Sequence, residues 1–134
     1  MSVFGGIRIS ASALTAERLR LDVISSNVAN ARTTRTEDGG PYKRKIAVFE
    51  ENYDEKLGML GIKATEIIDD KTPVKKLYEP NHPDADEEGY VEYPNVDLLV
   101  EMSDLIVASR AYESNVDTLN AQKNTISKAL EIGR

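Results

Sequence analysis

The chain has 134 residues, 40% hydrophobic and 30% charged, which suits one domain of ordinary size, or a small domain with helical extensions, and argues against wholesale disorder. Its 23 acidic against 17 basic residues leave a formal net charge of −6, which discourages phosphate-backbone binding; the absence of cysteine excludes a disulfide scaffold, thiolate-held zinc and a cysteine nucleophile. No apolar run approaches the roughly 18 residues a membrane span needs, and the opening Met1-Ser2-Val3-Phe4-Gly5-Gly6 lacks the basic region and long apolar core of a cleaved secretory signal, so export would use another route.

Over residues 7–30, Ile7, Leu14, Leu21 and Val28 recur at helical spacing, with Ala11 and Ile24 filling the turns between them. The opposite face carries Glu17, Arg18, Arg20 and Asp22. This predicts an amphipathic helix, followed by a connector read over 25–38 around Thr33-Thr34-Arg35-Thr36.

Gly39-Gly40-Pro41 then opens a segment holding most of the glycines and all five prolines. Strands are expected at 42–49, 62–68, 74–78 and 90–93, each bounded by turn formers, enough for a small antiparallel sheet or a pair of hairpins with weakly specified edges. The one dense basic run, Lys43-Arg44-Lys45, reads as a solvated strand or loop edge.

Little in this segment suggests chemistry. His82 is the single histidine, set in the Pro-rich turn Glu79-Pro80-Asn81-His82-Pro83-Asp84, where an exposed or turn-stabilising role is expected. No nucleophile-elbow, zincin or P-loop pattern is present. Asp84-Ala85-Asp86-Glu87-Glu88-Gly89 imitates the start of a calcium-binding EF-hand loop, but the twelfth position is Asn95 after Pro94 rather than a bidentate Glu. Weak calcium binding at Asp84, Asp86 and Glu88 is therefore a minor reading, and no catalytic, cofactor or metal site is expected.

The C-terminal arm is the clearest element. Leu98, Met102, Leu105, Ser109, Tyr112, Val116, Leu119, Lys123, Ile126 and Leu130 advance by alternating steps of four and three, an a/d heptad seam. Pro94 and Asn95 suggest its start and Gly133 its stop. A helix over 96–132 would be roughly 55 Å long at 1.5 Å per residue, longer than a compact domain of this size is wide. Val96, Leu99, Ile106 and Val107 widen the apolar face beyond the seam, so packing against more than one neighbouring helix, and hence between chains, is expected. A soluble coiled-coil adaptor with one partner helix is the alternative.

Two stretches carry a specific resemblance. Residues 12–30, ending in Ser25-Ser26-Asn27-Val28-Ala29-Asn30, and residues 101–116, with Arg110-Ala111-Tyr112-Glu113-Ser114-Asn115, resemble the terminal signatures of the bacterial flagellar rod and hook axial proteins. The inner motifs Gly39-Gly40-Pro41-Tyr42, Asn81-His82-Pro83-Asp84 and Pro94-Asn95-Val96, with the short length, resemble the proximal-rod members. Arg32 and Ser114 depart from the usual pattern. The resemblance implies an α+β chain whose N- and C-terminal helices pack as a coiled coil: residues 1–38 and 96–134 as a discontinuous helical inner domain around a central channel, and 39–95 as a small, mainly antiparallel β-rich outer domain. It marks Ser26, Asn27, Ala29, Asn30, Arg110, Tyr112 and Asn115 as family motif. It further implies a structural, non-enzymatic rod subunit without cofactor. Such a subunit would be exported by the flagellar type III system, would assemble with its own copies, other rod proteins and an export-gate adaptor at the rod base, and would transmit torque across the periplasm. No nucleic-acid partner or membrane insertion is implied.

Overall fold

The computed structural model describes residues 3–56 and 58–134, with the side chain of Val3 outside that description; Met1 and Ser2 of the opening segment therefore lie outside the described residues. The elements in chain order are α1 (Val3–Ala29), β1 (Lys45–Asp54), β2 (Met59–Asp69), β3 (Lys75–Tyr78), β4 (Tyr90–Tyr93) and α2 (Leu98–Ile132). The fold is α+β, two long helices with hairpins between them, as the patterning predicts. No helix among the described residues is long and apolar enough to cross a membrane.

Helix α1 starts four residues earlier than expected, taking in Gly5 and Gly6, and ends at Ala29, one residue short of the expected 7–30; residues 25–29 of the expected connector are therefore helix. Its stop is built at Asn30, whose backbone N–H and side-chain amide both donate to Ser26 O, at 3.0 and 2.9 Å, and whose Oδ1 accepts the Thr33 hydroxyl at 3.1 Å. Helix α2 begins at Leu98, and its cap is Asp97 rather than Asn95. Asp97 Oδ1 accepts the Leu99 amide at 3.0 Å and the Val100 amide at 3.4 Å, the usual N-cap arrangement. At the other end Gly133 N–H reaches Ala129 O at 3.1 Å, where the sequence places the stop.

Strands β1 and β2 form one two-stranded sheet and β3 and β4 another. The step from Asp54 to Met59 is too short for a parallel crossover, so β1 and β2 are antiparallel. β1 starts later and runs five residues further than its expected 42–49, and β2 extends three residues earlier; β3 lies inside the expected 74–78, and β4 coincides with the expected 90–93. In the second hairpin Lys75, Lys76, Leu77 and Tyr78 face Tyr93, Glu92, Val91 and Tyr90, antiparallel. Val91 is fully buried, and Tyr78 and Tyr90 meet edge to face at 5.3 Å. Gly89 turns into β4 at φ 87°, and a Cβ there would come within 2.9 Å of Tyr78 Cε2.

The chain folds into two compact units through which both helices and the first hairpin run. One comprises Met1–Leu21, Ala47–Glu66 and Ile106–Arg134. Within it the elements approach through small residues: a Cβ on Gly5 would overlap Met59 Sδ, Gly61 lies against Ser12, and Ala16 and Ala108 are buried. Ser12 Oγ accepts the Ile62 amide at 3.2 Å, and Ser10 Oγ, itself buried, bonds Gln122 Oε1 at 3.2 Å. The other unit comprises Asp22–Ile46 and Ile67–Leu105. Its buried residues include the apolar Val23, Ile24, Val91 and Val96 and the polar Asn27, Asn95 and Glu101.

Candidate functional site

The most heavily constrained place lies within the second unit, where the last turns of α1, the entry to β1 and the first turn of α2 meet. Asn27 is 1% exposed and Glu101 is fully buried. The Asn27 side chain treats residue 45 as a strand neighbour would: its Oδ1 accepts the Lys45 amide at 2.9 Å, and its Nδ2 donates to Lys45 O at 2.9 Å. The same amide donates to Glu101 Oε2 at 3.2 Å, and Tyr42 O–H donates to Asn27 Oδ1 at 2.9 Å. All four hydrogen-bonding positions of the Asn27 amide are used. Asn95 repeats the device one residue earlier, its Oδ1 accepting the Arg44 amide at 2.8 Å and its Nδ2 donating to Asp70 O and Thr72 O at 3.2 and 2.9 Å. Asn95, expected as a helix start, thus serves the strand.

Arg44 closes the knot. Its Nε donates to Glu101 Oε1, its Nη1 lies 3.2 Å from Asp70 Oδ2, and its Nη2 lies 3.9 Å from Asp104 Oδ2. Burial alone would lower the Arg44 pKa, but the hydrogen bond and charge of Glu101, followed by those of Asp70, raise it above its ordinary value on balance. The Thr72 hydroxyl and backbone amide, with Arg44 behind them and against the cost of desolvation, hold Asp70 below the usual carboxylate range. The basic run Lys43-Arg44-Lys45 is therefore no solvated edge at its centre: the Arg44 side chain is 24% exposed, because a fully buried carboxylate demands a cation beside it. Lys45 pairs outward with Asp69.

Part of the apolar surface of α2 is covered by nothing among the described residues. On α2, Leu99 is 78% exposed, and Val100, Met102, Ile106 and Val107 are more than half open or close to it. Of the expected seam, Leu105, Tyr112, Val116, Leu119 and Ile126 are half-buried within the chain, whereas Leu98, Met102 and Leu130 face outward. On α1, Ile24 is buried and Ile7, Leu14, Leu21 and Val28 are half-buried. Val96, grouped with the uncovered residues from sequence, is instead 5% exposed, since it precedes the helix and turns into the core. Of the motif residues, Asn27 and Asn30 take the roles above, and Ser26 Oγ lies 3.4 Å from Tyr42 Oη. Ala29 and Arg110 are exposed, while Tyr112 and Asn115 are half-buried on α2. Sequence reasoning passed over Glu101; its one signal was an acidic residue in the first turn of a helix otherwise apolar on that side.

The acidic loop turns its carboxylates toward protein groups. Asp84 takes the Thr34 hydroxyl at 2.8 Å and the Arg35 guanidinium, and the Thr34 bond, followed by Arg35, keeps its pKa low against desolvation. Asp86 Oδ1 accepts the amides of Glu88 and Tyr90 at 3.0 and 2.8 Å. His82 Nδ1 accepts the Asp84 amide at 3.0 Å, a turn-stabilising contact. Among the described residues no group of three His, Cys, Asp or Glu is placed to hold a metal ion.

Comparison with known proteins gives a consistent picture along the chain. Residues 7–35 match the family described as "Flagella basal body rod protein", and residues 87–132 match "Flagellar basal body rod FlgEFG protein C-terminal". The chain is 43% identical, over 150 aligned positions covering 98% of each protein, to the flagellar basal-body rod protein FlgC of Borreliella burgdorferi. It is 41% identical to the proteins of the same name from Bacillus subtilis and Escherichia coli O6:H1, with 100% of both chains covered in each case.

Proposed function

Because the chain belongs to the FlgC family of flagellar basal-body rod proteins, we propose that its terminal helices build the proximal rod by packing against further copies and neighbouring rod proteins. It is a structural subunit of the flagellar rod, located in the basal body. In the shaft we propose, residues 1–38 and 96–134 form the inner helical layer around the export channel, and 39–95 the outer segment. The assembled shaft transmits motor torque. Its partners include an export-gate adaptor at the rod base, and the subunit arrives through the flagellar type III system without a cleaved signal.

The observation that carries this reading is the uncovered apolar row on α2. Leu99, Met102, Ile106 and Val107 lie near one another on a single helix, and a contiguous apolar surface rimmed by polar groups marks a protein interface. The half-buried seam residues Leu105, Tyr112, Val116, Leu119 and Ile126, with Ile7, Leu14, Leu21, Ile24 and Val28, hold the helices that present this row. Complementation of a non-motile deletion strain tests it. Leu105→Asp and Val116→Asp should abolish rod assembly by placing an unpaired charge at the seam. Ile106→Asp should abolish it too, while leaving the unfolding free energy of the purified chain in urea within about 0.5 kcal/mol of the original, as for an exposed position. Full motility with Ile106→Asp would refute the reading.

A further inference from the structure

Helices α1 and α2 meet at Gly6 and Ser10 against Gln122 and at Asn27 against Glu101, and the apolar a/d pattern of α2 repeats along the helix, so an alignment shifted by one turn presents a similar apolar face. Apolar packing is non-directional and discriminates weakly between such registers. The buried polar atoms are different. The Asn27 amide donates to Glu101 Oε2 at 3.2 Å while it also holds both main-chain groups of Lys45, and Glu101 receives Arg44 on its other oxygen. Shifting α2 by one turn, about 5.4 Å, would carry Glu101 out of reach of both partners, leaving the Asn27 amide without its carboxylate and Arg44 Nε without its acceptor while Asp70 stays on Nη1. Along α2 the neighbouring turns offer Leu105, Asp104, Leu98 and Asp97 near that level; neither leucine can replace a carboxylate, and each aspartate is one methylene shorter than the glutamate that reaches Asn27 and Arg44 together.

We infer that the Asn27–Arg44–Glu101 knot is the register key of the molecule: it selects, among the near-equivalent alignments the seam allows, the one in which α1 and α2 are packed. The residues are positioning residues. This stands on the isolated chain and does not depend on the rod assignment, so its failure would leave that assignment intact.

The cysteine-free sequence makes the register directly readable in the purified full chain. Ser10 and Gln122 are in contact, Oγ to Oε1 at 3.2 Å, so Ser10→Cys with Gln122→Cys reports the observed alignment. Ser10→Cys with Thr118→Cys or with Ile126→Cys reports slips of one turn either way. With the native knot, the first pair should oxidise about fivefold or more in preference to the slipped pairs, the least factor expected when a slip strands a buried polar group. In Arg44→Met/Glu101→Leu, which replaces the ion pair by apolar groups of similar size, the slipped pairs should rise to within a few-fold of the native pair while helical circular dichroism is kept. Undiminished preference for the native pair in that variant would overturn the inference, as would equal oxidation of all three pairs with the knot intact. Should the double variant lose its helix, Glu101→Gln, which keeps the shape and removes the charge, decides in its place: partial loss of preference supports the register key, and unchanged preference refutes it.

Discussion

In one unit, Asn27, Arg44 and Glu101 tie helix, strand and helix together through buried polar atoms. In the other, the same helices and hairpin come together over Gly5, Gly61, Ala16 and Ala108, with Met59 and Ser12 filling the space the glycines leave. The first kind of junction specifies by direction and fails when one partner is removed. The second specifies by volume and fails when something is added. One molecule thus uses two codes for joining the same elements, and substitutions should separate them.

The largest effect is expected at the polar junction. Arg44→Ala leaves the fully buried Glu101 without its cation and should cost about 3–5 kcal/mol in urea unfolding, the range found when one member of a buried pair is deleted. Asn27→Ala strands the Lys45 amide and carbonyl and should cost about 1–3 kcal/mol by the same measurement. A smaller and opposite-signed effect is expected at the volume junction. With Met59 truncated to alanine, Gly5→Ala should stabilise by about 1 kcal/mol through helix propensity, whereas with Met59 present the gain should vanish, because the new Cβ meets the thioether. Titration provides the subtlest test. Asp70 and Asp84 have depressed folded-state pKa values, so the stability they contribute is present above their ordinary pKa of about 3.9 and is lost as pH falls through the lower folded values. Tyr93 is the reverse case. Its hydrogen bond to Glu79 raises its pKa, with burial adding to the effect, so its contribution is complete below about pH 10 and is lost as pH rises through the raised value. Asp70→Asn should flatten the acid limb of the unfolding curve, and Tyr93→Phe the alkaline limb.

The two junctions also differ in how far they could be read beforehand. Periodicity located both helices, the four strands and the half-buried seam from Leu105 to Ile126, because burial of an apolar face imposes a repeat on the sequence. It could not show that Gly5 and Gly6 belong inside α1, since glycine there answers a close approach by residues more than fifty positions away. The knot was the least legible part. Arg44 looked like the middle of a solvated basic run and Asn95 like a helix cap, because a polar side chain's long-range partner leaves no spacing to detect. Only the family signature drew attention to Asn27, without stating what the amide does there.

The Asn27 contact places an unequal burden on its two ends. The amide reads the main chain of residue 45, its N–H and its carbonyl, and touches nothing that depends on lysine. Position 45 can therefore drift to almost any residue except proline, which lacks the N–H, while position 27 admits no substitute that both donates and accepts at that reach. Mutational freedom at this junction should be lopsided: a saturation library should come back nearly monomorphic at 27 and varied at 45, although the two residues are bonded to each other.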